Sequence, residues 1–181
     1  MKRPLPLILI GVVVAAAAGY FWLRSGSERV AVDLVAQFPS AKDKRPKPES
    51  FAQSTVSLAG VSHPSIEVKE PSRIIWNVTL PEKAMLGVSL GLLEKAWTMD
   101  GDGVQFRIGV STGGRYDELV SLVIDPFHNP NDRGWHDLML DLSEYSGENV
   151  DVIFNTNSSL PPNDNRNGDF PVWGAPRIIV Q

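Results

Sequence analysis

Residues 104–110 have the sequence Val104-Gln105-Phe106-Arg107-Ile108-Gly109-Val110, in which apolar residues alternate with polar or small ones. A period of two places the apolar side chains on one face of a β-strand and the others on the opposite face. The next residues, Ser111-Thr112-Gly113-Gly114, end in two consecutive glycines, which favour a hairpin turn. These residues therefore predict two antiparallel strands with one buried face.

The same period of two recurs on both sides of this hairpin. Before it, residues 74–80 place Trp76 inward, and after it the alternation returns in residues 135–142 and 150–154. Turn residues separate eight or nine such short segments, and no long helical pattern follows residue 24. The sequence predicts an all-β domain, built as an antiparallel β-sandwich or jelly roll.

Three segments do not fit this strand pattern clearly. Residues 39–50 contain prolines and mixed charges, so we expect an extended segment without regular structure. Residues 155–169 are rich in Asn, Pro and Gly and are expected to form a long loop. Residues 30–38 fit either a first strand or a short amphipathic helix.

A different pattern occupies the N-terminus, where residues 5–23 contain no charged side chain. As a helix, this run would span about 28 Å, which is close to the hydrocarbon thickness of a bilayer. Lys2 and Arg3 precede it, so the positive-inside rule places the N-terminus in the cytoplasm. The sequence predicts one transmembrane α-helix with the main domain on the extracytoplasmic side.

The same apolar run also fits a cleaved signal peptide, because residues 15–18 are all alanine and would suit a peptidase. Membrane-interface aromatics favour an uncleaved anchor. They are Tyr20, Phe21 and Trp22. Within the predicted helix, small residues recur every four positions and would form a face for packing against another membrane helix. They are Gly11, Ala15 and Gly19.

These patterns divide the chain into three parts. Residues 1–24 are the cytoplasmic stub and signal-anchor helix, residues 25–50 a linker and first element with the Pro/Lys-rich loop, and residues 51–181 the extracytoplasmic β-sandwich. Residues 25–181 carry 14 basic and 21 acidic side chains, a formal charge of −7, which argues against nucleic-acid binding. The absence of cysteine excludes disulfides, thiol catalysis and cysteine-ligated metals.

Four segments of the domain together resemble a known fold family. They are Ser72–Pro81, Gly101–Phe106, Trp135–Ser143 with Tyr145 and Gly147, and Trp173–Ile178. In this order they resemble the galactose-binding-like jelly-roll domains, which are related to carbohydrate-binding modules and occur on bacterial extracytoplasmic and membrane proteins. The resemblance covers roughly residues 30–180. It implies a jelly roll that binds sugars in some proteins and serves as an interaction module in others. It also implies a bacterial protein, so we expect the anchor in the bacterial cytoplasmic (inner) membrane and the main domain in the periplasm.

Sugar binding would need exposed aromatic rings beside polar groups. The candidates are Trp97, Tyr116, Phe127, Trp135 and Trp173. The three tryptophans also suit the core of the fold that the chain resembles, so we expect them to be packed inside the domain.

We expect no enzymatic activity, because the three histidines lie in separate segments without a partner at metal spacing and without a serine nucleophile motif. They are His63, His128 and His136. No cofactor is predicted. The resemblance implies a structural calcium in some relatives, for which Asp100 and Asp102 are weak candidates because the EF-hand pattern around them is incomplete.

Two functions fit these observations. The first is a non-enzymatic accessory or structural subunit of a bacterial membrane complex, respiratory, photosynthetic, transport or secretory, whose partners are the bilayer and other subunits. The alternative is a membrane-tethered carbohydrate-binding module that recognises envelope glycans.

Overall fold

The computed structural model describes residues 28–69, 71–158 and 165–180. These residues form eleven β-strands and five single 3-10 turns. The strands are β1 (Arg29–Asp33), β2 (Asp43–Arg45), β3 (Phe51–Leu58), β4 (Val61–Val68), β5 (Ser72–Thr79), β6 (Ala84–Leu92), β7 (Val104–Thr112), β8 (Arg115–Ile124), β9 (His136–Asp141), β10 (Asn149–Ser158) and β11 (Pro171–Val180). The turns are Phe38–Ser40, Pro48–Ser50, Glu94–Thr98, Pro130–Asp132 and Ser143–Tyr145.

The strands pair into two antiparallel sheets that face each other. Sheet A has the order β3-β4-β11-β6-β9, and β1 also pairs with β11. Sheet B has the order β2-β5-β10-β7-β8. Successive strands such as β5 and β6, or β10 and β11, lie in opposite sheets, so the chain crosses repeatedly between the layers. This arrangement confirms the predicted all-β antiparallel sandwich.

The alternation in residues 104–110 is confirmed in detail. The side chains of Val104, Phe106, Ile108 and Val110 are all buried. The two glycines after β7 form the predicted hairpin turn into β8, with φ angles of +56° at Gly113 and +82° at Gly114. A positive φ at both central residues matches the twist of the flanking strands and costs glycine little.

Aromatic rings fill the centre of the core between the sheets. Trp173 of sheet A lies 4.5 Å from Phe154 and 4.9 Å from Phe106 of sheet B, measured between ring centroids. Trp76 contacts the same Phe154 ring at 5.1 Å. In the described part of the chain, the indole Nε1 atoms of Trp76 and Trp173 are buried without a hydrogen-bond partner. Each such group costs about 1–3 kcal/mol, which the burial of a large ring outweighs.

Residues 30–50 are more regular than the sequence predicts. The ambiguous residues 30–38 form β1 as far as Asp33 and then a 3-10 turn. The prediction of an irregular segment at residues 39–50 is wrong, because β2 pairs there with β5. This edge strand needs few backbone donors, so prolines on either side of it are tolerated.

The predicted long loop also begins too early. Residues 155–158 belong to β10, where they pair with β7 on one side. Thr156 is buried and hydrogen-bonded to Ser72, while Asn155 accepts a hydrogen bond from Arg73 and Asn157 donates one to Gln105. The prediction therefore ended this strand too early, because it relied on polar composition alone.

The predicted transmembrane helix lies in residues 1–24, outside the described residues, as do Gly11, Ala15, Gly19, Tyr20, Phe21 and Trp22. Across residues 28–69, 71–158 and 165–180, no helix has the length and apolar character that crossing a membrane requires.

Replacing Trp173 by alanine should remove the ring that joins the two sheets and leave a cavity. We expect the free energy of unfolding to fall by about 3–5 kcal/mol in a denaturant titration followed by circular dichroism. Val123 is a suitable control because it is 39% exposed on β8. The Val123→Ala substitution should change the free energy by less than about 0.5 kcal/mol. Equal stability of the Trp173→Ala variant and the wild type would contradict this account of the core.

Candidate functional site

A shallow groove lies on the outer face of sheet A, the face turned away from sheet B, and has a volume of about 260 Å³. Its floor is β6, whose outward positions include Gly87 and Ser89 because the alternate leucines and valines enter the core. The neighbouring strands supply the walls. Met139 of β9 and Arg177 of β11 pair on either side of Gly87, and Asp137 pairs with Ser89.

The glycine in the floor lets the two walls approach each other. A Cβ at Gly87 would lie 3.4 Å from Met139 Cε and 3.5 Å from Arg177 Cζ. The ends of these side chains therefore lie over the glycine from opposite sides. A larger residue at this position would fill the floor of the groove.

Trp135 lies on the same outer face, next to the groove. Its ring rests on two glycines, because a Cβ at Gly174 would lie 2.7 Å from Trp135 Cζ3 and a Cβ at Gly91 would lie 3.5 Å from Cε3. The indole Nε1 donates a hydrogen bond of 2.8 Å to the carbonyl oxygen of Val61. Trp135 therefore lies outside the main core between the sheets, and it packs instead on these glycines and against a smaller buried cluster of Val56, Leu58 and Val172.

The β3–β4 hairpin packs over Trp135 on the outer face of sheet A and holds its ring in position. Leu58, near the hairpin turn, reaches across to contact the position of Gly91. The backbone N–H of Ala59 donates to Glu94 Oε1 at 3.0 Å. His63 of β4 meets the Trp135 ring edge-on, with 4.9 Å between centroids, and also lines the groove. The hairpin thus supplies one wall of the site.

The polar groups of the groove are held by hydrogen bonds. Ser89 Oγ donates to Asp137 Oδ1 at 2.6 Å, which orients the carboxylate. Arg177 Nη1 donates to the carbonyl oxygen of Ala175 at 3.1 Å. The groove therefore offers a carboxylate acceptor and a guanidinium donor beside a half-buried aromatic ring. Such a combination suits a ligand rich in hydroxyl groups.

Ser89, His63 and Asp137 are the residue types of a hydrolytic triad, but their connections differ from one. In a triad the serine donates to the histidine, which is held by the acid. Here the serine donates directly to Asp137, and the His63 ring packs against Trp135. This geometry does not activate the serine.

The five aromatic residues predicted from the sequence do not converge. Trp173 is completely buried, with its ring packed against Phe106 and Phe154 of sheet B, so it cannot contact a ligand. Trp97 is half-buried and its Nε1 donates to Leu92 at 3.2 Å. Phe127 is exposed beside His128 in another loop. Tyr116 lies on sheet B with its ring against Gly109, so Trp135 is the one of the five that adjoins the groove.

Several groove residues were not recognised as a site from the sequence. They are His63, Gly87, Ser89, Asp137, Met139 and Arg177. A usable signal was present in β6, where small residues occupy successive outward positions of a strand that is otherwise aliphatic. These residues are Gly87, Ser89 and Gly91.

The two calcium candidates, Asp100 and Asp102, accept hydrogen bonds from the loop at residues 165–167. Asp102 Oδ2 accepts a hydrogen bond from the backbone N–H of Asn165 at 3.1 Å. The Asp100 carbonyl oxygen accepts from the side-chain amides of Asn165 and Asn167, at 3.1 and 2.8 Å. Within the described ranges, no group of three or more His, Asp or Glu side chains is arranged to hold a metal ion.

A network of charges lies outside the groove, where β8 meets the turn at residues 143–145. Hydrogen bonds to Glu144 and Asp117 raise the pKa of Arg115. Burial, followed by the hydrogen bond to Asp117, raises the pKa of Tyr145. Arg115 is bonded to Glu144 and Asp117, and the Tyr145 hydroxyl donates a hydrogen bond to Asp117. Because these four side chains are bonded to one another, we interpret the network as structural.

The seat of Trp135 can be tested with two glycines on the same face. Gly174→Ala would place a Cβ within 3 Å of the rigid indole ring, so the ring must shift, and we expect a loss of about 1–3 kcal/mol in unfolding free energy. The tryptophan fluorescence spectrum should change as well. Gly87→Ala meets the flexible ends of two side chains and should cost less. A larger loss of unfolding free energy from Gly87→Ala than from Gly174→Ala would contradict the packing of Trp135 on Gly174.

The chain matches no established protein-family model. An uncharacterised protein of Archaeoglobus fulgidus is 42% identical to it over 120 residues, which cover 64% of this chain and 29% of the relative. The chain thus spans less than a third of the length of that relative.

Solved structures with a similar fold include carbohydrate-binding modules. The CBM51 module of a Clostridium perfringens GH95 protein, in complex with methyl-galactose, has a TM-score of 0.53 and 12% identity over 81% of this chain and 98% of its own. The tandem CBM51 modules of a Streptococcus pneumoniae family 98 glycoside hydrolase have a TM-score of 0.53 and 13% identity over 83% of this chain and 47% of theirs. The structure of CBM51-2 and INT domains of Clostridium perfringens ZmpB, in complex with GlcNAc, has a TM-score of 0.51 and 12% identity over 77% of this chain and 30% of its own. The described domain therefore has the galactose-binding-like jelly-roll fold of these modules.

Proposed function

We propose that the protein is a carbohydrate-binding module that recognises envelope glycans through the groove on the outer face of sheet A. The observation that carries this proposal is the combination of an oriented carboxylate, a guanidinium and an adjoining indole ring over a floor of small residues. Sugar rings offer hydroxyl groups to polar side chains and a C–H face to aromatic rings, so these groups are complementary to a sugar.

Four residues of the groove and its margin have a definite role in this proposal. Asp137 accepts hydrogen bonds from sugar hydroxyls, and the Ser89 hydroxyl keeps the carboxylate oriented. Gly87 lets the ring approach the strand backbone closely. Trp135 supplies apolar surface at the neighbouring end. A volume of about 260 Å³ is below the roughly 300–1,000 Å³ of pockets for drug-sized ligands, so the groove suits one sugar unit of a longer chain.

The structural neighbours support the class of ligand. The two Clostridium perfringens modules were solved with methyl-galactose and with GlcNAc. At 12% identity the likeness concerns the fold, so the position of the site rests on the groove itself. The function proposed is binding without catalysis.

We also propose that residues 1–24 anchor the module in the cytoplasmic membrane with the β-sandwich outside. Support comes from the uncharged run at residues 5–23 and the basic residues before it. The full chain should stay in the membrane fraction after an alkaline wash, whereas a chain lacking residues 1–24 should be released. Release of the full chain by the wash would count against the anchor, and a shortened N-terminus would indicate a cleaved signal peptide.

The role of accessory subunit in a membrane complex is less well supported. It depends on the small-residue face at Gly11, Ala15 and Gly19, which lies outside the described residues. The groove and the fold both favour glycan binding instead.

Glycan binding can be measured with the full chain in a detergent that has no sugar headgroup, by calorimetric titration with galactose- and GlcNAc-containing oligosaccharides. Asp137→Ala should weaken binding at least about tenfold, because a hydrogen bond to a charged group contributes about 1.5–3 kcal/mol. Asp141→Ala is a matched control, since Asp141 lies on the same strand and face but outside the groove. Equal weakening by both substitutions would contradict the site, and no binding of any oligosaccharide would contradict the function.

A further inference from the structure

Arg177 lies between two depressions on the outer face of sheet A. On one side is the groove of about 260 Å³ described above. On the other side is a smaller depression of about 100 Å³ whose lining includes Asp33 and Pro64. The Arg177 side chain lines both. A ligand in the groove would therefore meet this guanidinium at the boundary between the two depressions.

The backbone, rather than an acidic side chain, fixes the position of this guanidinium. Its Nη1 donates to the carbonyl oxygen of Ala175, and its Cζ lies over Gly87, where a Cβ would be at 3.5 Å. Arg177 is half-buried and follows an irregularity in the pairing of β11 with β6. The group is thus held in place before any ligand arrives.

Arg177 differs from three other arginines in its charge environment. Arg45, Arg107 and Arg115 each form an ion pair with a carboxylate. The ion pairs found among the described residues do not include Arg177. A partly desolvated guanidinium that takes part in no ion pair is available to bind a negatively charged ligand.

Two aspartates lie near Arg177, and neither is paired with it in the ion pairs that the described residues form. Asp137 accepts from Ser89, and it lies one outward position along β9 from Met139, the residue opposite Arg177 across Gly87. Asp33 is opposite Arg177 in the pairing of β1 with β11, and its Oδ1 accepts from the backbone N–H of Ala36 at 2.9 Å. The groove therefore carries its positive group at one end and its oriented carboxylate at the other.

We propose that the groove selects an acidic glycan, a chain containing a sugar with a carboxylate, and that this carboxylate binds the guanidinium of Arg177. The inference rests on the proposed glycan-binding function and adds the class of sugar. The planar fork of an arginine matches a carboxylate with two parallel hydrogen bonds. Asp137, at the other end of the groove, binds hydroxyl groups of the same glycan.

The test compares two trisaccharides that differ in their acidic groups, galacturonic acid trisaccharide and galactose trisaccharide, by calorimetric titration of the full chain. We expect the acidic trisaccharide to bind at least about tenfold more tightly and its affinity to fall as salt is added. Arg177→Gln should weaken the acidic trisaccharide about ten- to a hundredfold and the neutral one by a smaller factor, because a hydroxyl loses a hydrogen bond there and a carboxylate loses a charge-assisted pair. Arg177→Lys should give an intermediate loss, because the charge is kept and the fork is lost.

Arg107→Gln is the matched control, because Arg107 lies on sheet B and is paired with Glu118. Thermal unfolding of every variant checks the fold, and if Arg177→Gln unfolds, the Arg177→Lys variant takes its place. Tighter or equal binding of the neutral trisaccharide by the wild type would overturn the acidic preference while leaving the glycan-binding function intact. Equal weakening of both trisaccharides by the Arg177 variants would do the same. Absence of binding to either would overturn both proposals.

Discussion

The contact of Trp173 with Phe106 and Phe154 is the interaction on which the rest of the structure depends. Trp173 belongs to β11, which lies inside sheet A, and the two phenylalanines belong to sheet B, so these rings hold the layers together. The next residue, Gly174, faces the other way and forms part of the seat of Trp135. Two consecutive residues of one strand therefore support the core and the candidate site, and a shift of β11 would disturb both.

The groove consists of side chains on paired strands, with little contribution from flexible loops. Its floor is β6, and the residues opposite each other across the floor are set by the pairing of β6 with β9 and β11. Strands hold side chains more precisely than loops do. A ligand that fits this groove would find its partners already in place, and less of the binding free energy would be lost in ordering them.

The fold was predictable because its signal is local, whereas the site depends on strand register. Alternation in residues 104–110 reports a buried face whatever the partner strand is. The proximity of Asp137 to Ser89, or of Arg177 to Gly87, follows from pairings between residues about 50 to 90 positions apart. Trp135 was assigned to the core because nothing in its own segment reveals the glycines of two other strands beneath it. The short strand β2 was missed because its pairing partner, and not its composition, makes it a strand.

The β3–β4 hairpin lies at the edge of sheet A and is held over its outer face by the bonds from Trp135 to Val61 and from Ala59 to Glu94. Units at the edge of a sheet open at a lower free energy than the core does. Because the hairpin contributes His63, each opening removes one wall of the groove. The measured dissociation constant then equals the intrinsic constant divided by the fraction of molecules with the hairpin closed. Substitutions in the hairpin that leave His63 unchanged and do not line the groove would thus alter affinity through that fraction alone.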